Sequence, residues 1–449
     1  MNYDDFLKSK LDDDVSTGMA ITADPHYNAK PHQRDCLEML LNIGRGAAFL
    51  DTGLGKTFLQ IDWARHIPGK VLIVAPLAVA HQTIREAKNL LGIEVVYSKE
   101  GELSDGITIT NYERIHHFDA GELSGIVLDE SSILKGKNSK TKKPIVEQFN
   151  QVPYRLACTA TPSPNDYTEL GNHAEFLGLM STQEMLTKWF LHDSANTGDW
   201  RLKKHAVESF WQWVSSWACC VSKPSDLGHS DEGYDLPELT IKTHTVETAL
   251  ESGGQEMLFD IPTINATDLH RSKRGTMDER CKMVADMVND NDRPWLVWCE
   301  SNDESALLAK LIPDSVEVKG SNTPDQKEDR LLSFTDQKSR VLVSKSSICG
   351  FGMNWQHCRD IAFASISYSY EKFYQAVRRS WRFGQDQEVR THVVLADSEL
   401  PVWRAIEKKT INHDQMKKAM RESVFSNSEG AKVKQAYNAK GKGSLPSWI

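Results

Sequence analysis

A short apolar run, Ala47-Ala48-Phe49-Leu50, leads straight into Asp51-Thr52-Gly53-Leu54-Gly55-Lys56-Thr57. The run suits a buried strand, and paired glycines followed by Lys-Thr suit a sharp turn that opens a helix. That combination makes a phosphate cradle. Gly53, Leu54 and Gly55 turn backbone N–H groups toward an anion, and the helix start adds its positive dipole end. Lys56 then reaches the β- and γ-phosphates, and Thr57 offers a hydroxyl to Mg²⁺. The common loop pattern also has a glycine six residues before the lysine, where this chain has Leu50. A tight strand-to-helix turn without a ligand is the alternative, but the direct entry of a buried strand into Gly-Lys-Thr favours the cradle.

The chain of 449 residues is too long for one ordinary core and suits two large domains with additions. Hydrophobic residues at 40% and charged residues at 26% are those of a globular protein in water. Met1 to Asp14 is acidic without an apolar centre, so no signal peptide is expected. Val71 to Ala80 is too short, and interrupted by Pro76, to span a membrane. The eight cysteines include no pair of Cys-x-x-Cys units and read as buried thiols in a reducing compartment, without zinc or disulfides. A net charge of −9 excludes an overall basic, histone-like protein but leaves room for a basic groove. From Trp403 to Ile449, ten Lys/Arg face four Asp/Glu, which is either a solvated helix and loop or a segment that contacts a nucleic-acid backbone.

Partners for the cradle follow along the chain. Gln33 precedes a helical pattern through Cys36, Leu37, Leu40 and Leu41, and a glutamine there can read an adenine edge, which favours ATP. Val71–Ala75, Ile107–Thr110 and Ile126–Leu128 are short apolar runs of the kind found in parallel strands covered on both faces. The last ends in Asp129-Glu130, at the carboxyl end of a strand where open α/β sheets bind ligands. There Asp129 would hold Mg²⁺ through water and Glu130 would orient or deprotonate an attacking water. Thr159 and Thr161 close another strand, either sensing a γ-phosphate or capping a turn. Strands alternating with helices imply a doubly wound parallel sheet.

Residues 163–235 break that rhythm. Trp189, Trp200, Trp211, Trp213 and Trp217 cluster here, with Phe210, Trp213, Val214 and Trp217 on one helical face. A helical insertion with its own small core is expected over a base-stacking surface. The strand-helix alternation then resumes through Trp295–Cys299, Val341–Val343 and Ile361–Ala364. A helix follows over Gln375-Ala376-Val377-Arg378-Arg379-Ser380-Trp381-Arg382-Phe383-Gly384-Gln385. Arg379 and Arg382, three apart, share a face. They are either solvated or ion-paired, or they meet a triphosphate across a cleft as an arginine finger does.

The order of these motifs resembles superfamily 2 helicases and translocases, and among them the Swi/Snf-like DNA-dependent ATPases of the short phage and bacterial type. The resemblance runs from Pro31 to Gln385. Gln33 looks like the adenine-reading glutamine, Gly53 to Thr57 like motif I, Ala75-Pro76-Leu77 like motif Ia, Asp129-Glu130 like motif II and Thr159-Ala160-Thr161-Pro162 like motif III. Ser344 to Gln356 looks like motif V. Gln375 to Gln385 is similar to motif VI, with its spacing met in full, which adds Gln375 to the expected nucleotide contacts.

The resemblance implies two RecA-like lobes of doubly wound parallel sheet in tandem with a helical insertion, ATP and Mg²⁺ in the cleft, and DNA, duplex or branched rather than RNA, across both lobes. It implies that Arg382 is the finger, that Arg379 is a second γ-phosphate contact, and that Pro76, Thr110, Asn111, Ser344, Lys345, Gly352 and Asn354 lie along the nucleic-acid track. The expected parts are an extension at 1–30, lobe 1 at 31–162, the Trp-rich insertion and linker at 163–235, lobe 2 at 236–400 and a basic tail at 401–449. The expected activity is an ATP-driven motor of DNA replication, recombination or repair, acting as a monomer on DNA in a bacterial or phage-infected cytoplasm. A nucleotide-gated DNA clamp with little strand separation is the other reading. Ser132 departs from the family, standing where relatives carry His or Asp, and so does Thr83, where many carry Trp.

Overall fold

Alternation along buried strands sets the layers of this molecule. The structure is a computed structural model that describes residues 24–135, 142–192, 200–247, 272–349 and 354–433. Its first sheet is built from Arg45–Leu50 (β1), Val71–Ala75 (β2), Val95–Tyr97 (β3), Ile107–Asn111 (β4), Gly125–Asp129 (β5) and Tyr154–Cys158 (β6). Along β1, Ala47 and Phe49 enter one apolar core while Ala48 and Leu50 enter another. Leu72 and Val74 of β2 divide from Val71, Ile73 and Ala75 in the same way. This is the period of two expected of strands covered on both faces.

The segment expected to be helical contributes more than helices. After the antiparallel hairpin Phe190–His192 (β7) and Trp200–Leu202 (β8), the strand Ala218–Val221 (β9) lies parallel to β1 at the edge of the first sheet. The full order is β3-β4-β2-β5-β6-β1-β9. Trp189, Phe210, Trp211 and Trp217 join the core that holds Phe49, Leu72 and Leu128, so the aromatic cluster extends the first sheet's core and does not form a separate one. A boundary at residue 162 would therefore cut through the first sheet. Residues 24–30 also pack on it, since Ala29 is buried in its other core and the backbone N–H of His26 donates to Asp62.

The second sheet is Leu239–Val246 (β10), Trp295–Cys299 (β11), Ser315–Val318 (β12), Val341–Lys345 (β13), Asp360–Phe363 (β14) and Val389–Ala396 (β15). They lie in the order β10-β15-β14-β11-β13-β12, with each described pairing parallel. Trp298, Leu342 and Ile361 face one core, and Trp295, Val297 and Val343 face the other. The molecule is thus α/β, with two parallel sheets, each covered on both faces.

One helix joins them. Leu400–Val433 begins in the second sheet's core with Trp403 and Ile406 and reaches the first sheet's core with Met416 and Met420. At 1.5 Å per residue, the span from Trp403 to Met420 is about 25 Å. The stretch expected as a basic tail therefore carries a buried apolar stripe over its described side chains, and residues 434–449 lie outside the described ones. No helix among the described residues is long and apolar enough to cross a membrane.

Candidate functional site

The carboxyl ends of β1, β6 and β5 sit side by side, because Ala48 pairs with Cys158 and Cys158 with Asp129. The loop after β1 and the acidic pair after β5 are thereby two strand spacings apart, about 10 Å. Gly53 (φ 99°) and Gly55 (φ 82°) adopt the left-handed conformation the cradle requires. A Cβ on Gly55 would collide with the Gln33 amide, and one on Gly53 would come within 2.7 Å of Phe383 Cβ. Helix Lys56–His66 starts at the loop, and Lys56 Nζ donates to the Leu50 carbonyl at 3.0 Å. Burial lowers the proton affinity of Lys56, and Glu130 and Asp129 work against that shift.

Asp129 is buried, and its Oδ1 accepts from Gln60 Nε2 at 2.7 Å. Burial first, and then the adjacent Glu130 charge, raise its carboxyl to about 6. Such a carboxylate gains from a cation placed against it. Glu130 holds a left-handed backbone (φ 55°), a conformation that costs a non-glycine residue about 1 kcal/mol or more. Thr159 Oγ1 donates to Glu130 Oε2 at 3.4 Å and also accepts from the Thr161 N–H at 3.1 Å. Of the two roles open to these threonines, Thr159 caps its turn while touching the acid that lines the cleft.

The opposite wall comes from the second sheet. A cavity of about 190 Å³ is lined by Gly53, Gly55, Lys56, Thr57, Asp129 and Glu130 on one side and by Asn354, Gln375, Arg379 and Arg382 on the other. Helix Tyr370–Val377 and the turn after it carry the arginines. Arg379 is buried, its Nε donating to the Gln375 carbonyl at 3.2 Å, and Arg382 donates to Asn354 Oδ1. Burial, and then the charge of Arg379, lower the proton affinity of Arg382. Among the described residues, Arg382 Nε and Gln375 Nε2 are buried without a hydrogen-bond partner. A polyanion fits that donor set. For a metal, Thr57 and Asp129 lie on the same cavity, and Mg²⁺ needs few protein ligands where phosphates and water complete its shell.

The remaining expected residues fall into two groups. Gln33 braces the loop, its Oε1 accepting from the Lys30 N–H at 2.9 Å and its Nε2 donating to the Leu54 carbonyl at 3.0 Å. Pro76 precedes helix Leu77–Glu86 and is partly exposed, as is Lys345. Thr110 and Ser344 are fully buried, and their hydroxyls donate to the carbonyls of Ser98 and Val318 at 2.9 Å each. Asn111 is also buried and accepts from Tyr97 Oη at 3.1 Å. These three side chains are committed inside the protein, so a ligand on that surface would meet their backbone. Gly352 lies outside the described residues.

Some members of the site carry no motif. Gln60, one turn after Lys56, holds Asp129, and Tyr112 Oη donates to the Asp129 carbonyl at 2.7 Å. A polar residue within the otherwise mostly apolar run Phe58–Ala64 is the available signal for Gln60. Across the lobes, Tyr374 Oη donates to Asp51 Oδ1 at 2.9 Å, and Lys135 pairs with Glu371.

Comparison with known proteins places a helicase conserved C-terminal domain over residues 279–384, a stretch that includes Gln375, Arg379 and Arg382. The chain is also similar to Rad25 of Halobacterium salinarum, described as a DNA 3'-5' helicase. The two are 25% identical over 170 residues, which is 35% of this chain and 27% of that relative. The chain thus matches about a quarter of the relative's length. Two parallel sheets, a helicase C-terminal domain ending on the arginine-bearing turn, and likeness to a DNA helicase together support membership of superfamily 2 of the helicases.

Proposed function

We propose that this chain is a Swi/Snf-like, nucleic-acid-dependent ATPase that hydrolyses ATP between its two sheets and moves along DNA, in replication, recombination or repair. The reading rests on one observation: Arg379 and Arg382 of the second lobe line the same cavity as Lys56, Asp129 and Glu130 of the first. A phosphoryl group transferred there would sit among fixed cations that need no reorganisation, the kind of stabilisation phosphoryl transfer depends on. Mg²⁺, when bound, would neutralise charge on the β- and γ-phosphates, with Thr57 and Asp129 as its protein ligands. Glu130, within reach of Thr159, orients the attacking water and takes its proton. Arg382 and Arg379 balance charge on the γ-phosphoryl oxygens, and Lys56 exchanges the Leu50 carbonyl for phosphate. Because the grip is shared, hydrolysis changes what holds the lobes together, and surfaces of both lobes that track DNA would alternate their hold.

The test is ATP turnover measured in parallel with single-stranded DNA, duplex DNA, forked DNA and RNA at one salt concentration. DNA is expected to stimulate turnover, and Glu130→Gln to abolish it while retaining ATP-dependent DNA binding. Turnover indifferent to every nucleic acid and to Arg382→Ala overturns the motor. Unchanged behaviour of Glu130→Gln points to the nucleotide-gated clamp, a reading that Ser132 at the end of motif II leaves room for.

A further inference from the structure

Asp51 is an odd residue to find at the mouth of a phosphate site. It is the first residue after β1, its N–H donates to the Val221 carbonyl of β9 at 3.0 Å, and its own carbonyl accepts from Leu54 at 3.3 Å. Its side chain is 10% exposed. An uncompensated carboxylate there would repel an incoming triphosphate and compete for Lys56. The charge is met by groups that motif I does not supply. Lys417 Nζ, from the long C-terminal helix, donates to Asp51 Oδ1. Tyr374 Oη donates to the same oxygen at 2.9 Å, and Arg378 approaches Oδ2 at 3.6 Å. Lys417 also lies 3.5 Å from Tyr374 Oη and is itself 7% exposed.

These groups come from three directions. Asp51 belongs to the phosphate loop, Tyr374 and Arg378 to the helix and turn that carry Arg379 and Arg382, and Lys417 to a helix anchored on both lobes. Around Lys417, Met416 and Met420 are locked in the first sheet's core, and Arg421 pairs with Asp226 at 3.3 Å. That anchoring holds Lys417 against the phosphate loop. Tyr374 and Arg378, in contrast, reach Asp51 from the far side of the cleft.

We propose that Lys417 is a positioning residue of the nucleotide site: it neutralises Asp51, fixes the junction between β1 and the phosphate loop, and leaves Lys56 free for phosphate. The C-terminal helix is then a working part of the ATPase, joined to the loop at its first residue. Burial opposes the charge on Asp51, but Lys417 and then Arg378 outweigh it and hold the carboxyl well below its ordinary range. The inference rests on the nucleotide-binding reading of the cleft.

Equilibrium binding of magnesium AMP-PNP to the full chain tests it, because binding needs no turnover. Lys417→Met is expected to weaken binding about tenfold or more, since a bare Asp51 charge faces the phosphates, while Lys417→Arg stays within about threefold of wild type. Adding Asp51→Asn to Lys417→Met removes the unmatched charge and is expected to restore binding to within about threefold of wild type. A role confined to packing of the helix predicts no such recovery. Unchanged binding by Lys417→Met, or a double variant as weak as the single, overturns the proposal. Where Lys417→Met gives no folded protein, the double variant alone decides, and a loss of about tenfold or more in it overturns the proposal. A wild-type chain that does not bind AMP-PNP refutes instead the nucleotide reading of the cleft.

Discussion

Two neighbouring pairs of cations at the cleft differ in how their charge is met. Arg378 and Lys417 converge on Asp51, with Tyr374 completing the set. Arg379 and Arg382 face the cavity, and Arg382 has no carboxylate within salt-bridge distance among the described residues, only Asn354 and a buried Nε without a partner. The shifts run in opposite directions. Burial alone would lower Arg378, yet Tyr374 and Asp51 raise it, whereas burial and Arg379 lower Arg382. A cation that the protein compensates acts through its carboxylate partner, and one left under-compensated beside a cavity waits for a ligand. The arginines of one short segment thus split into a structural and a working member by what faces them, four residues apart.

The largest expected effect tests that split directly. Arg382→Ala should lower DNA-stimulated turnover by about a thousandfold, in line with the loss of an arginine finger. Its melting temperature should stay within about 2 °C of wild type, because the partner it leaves, Asn354, is uncharged and only partly buried. Arg378→Gln should do the reverse, destabilising the fold by about 2 kcal/mol through an under-matched Asp51 while turnover falls less than about tenfold. Paired melting curves and rates on both variants check this. Variants that lose turnover and stability in the same proportion would erase the distinction.

A further compensated cation lies deep in the second lobe. Arg280 is fully buried and donates to Glu304 Oε1 at 3.0 Å, to Thr276 Oγ1 at 3.1 Å and to the Lys273 carbonyl at 2.7 Å. Glu304 also accepts from Ser365 at 2.7 Å and from the N–H groups of Glu300 and Ser301. Burial opposes the Glu304 charge, and Arg280 and Ser365 more than offset it. Arg280→Met should therefore destabilise the chain by about 3 kcal/mol in urea denaturation, with Glu304 left charged and unmatched. Binding of magnesium AMP-PNP to the folded fraction should not change. A loss of nucleotide affinity at this remote site would show that compensation alone does not mark a purely structural role.

The parts of this molecule that were legible in its sequence are those whose signal is local. The phosphate loop, Asp129-Glu130 and the spaced arginines each announce themselves within a dozen residues, because each ends or directly follows a strand or a helix; the arginines, expected along a helix face, lie instead on the turn after helix Tyr370–Val377. The two-sheet architecture follows from apolar runs of strand length between helical stretches. What escaped depends on partners far apart in the chain. Ala218–Val221 follows a Trp-rich helix and reads as its continuation, and only its pairing with β1 makes it a strand. Asp51 and Lys417 are 366 residues apart, and neither alone suggests the other. The burial of Thr110 and Ser344 depends on which face of their strands the next layer covers, which a motif does not state.

A third way to keep a polar group inside is to leave it uncharged, and His173 sharpens the comparison from that side. It lies beneath β1, its ring 5.2 Å from that of Phe49, with Nε2 at 2.9 Å from the Pro162 carbonyl. Burial is the main cause that lowers it to about 4, the Pro162 hydrogen bond acting the other way. In the unfolded chain the same imidazole takes its proton near the ordinary value of about 6.5. Between those two values the unfolded state binds more protons, so the stability His173 contributes is present above pH 6.5 and is lost as the pH falls toward 4. For a shift of that size the loss is of order 3 kcal/mol. His173→Asn removes the titrating group, so its stability gap below wild type should narrow by about that amount between pH 7.5 and 4.5 in denaturation curves. A gap that stays constant across this range would mean that His173 enters the folded state already charged, with a compensating anion still to be found beside it.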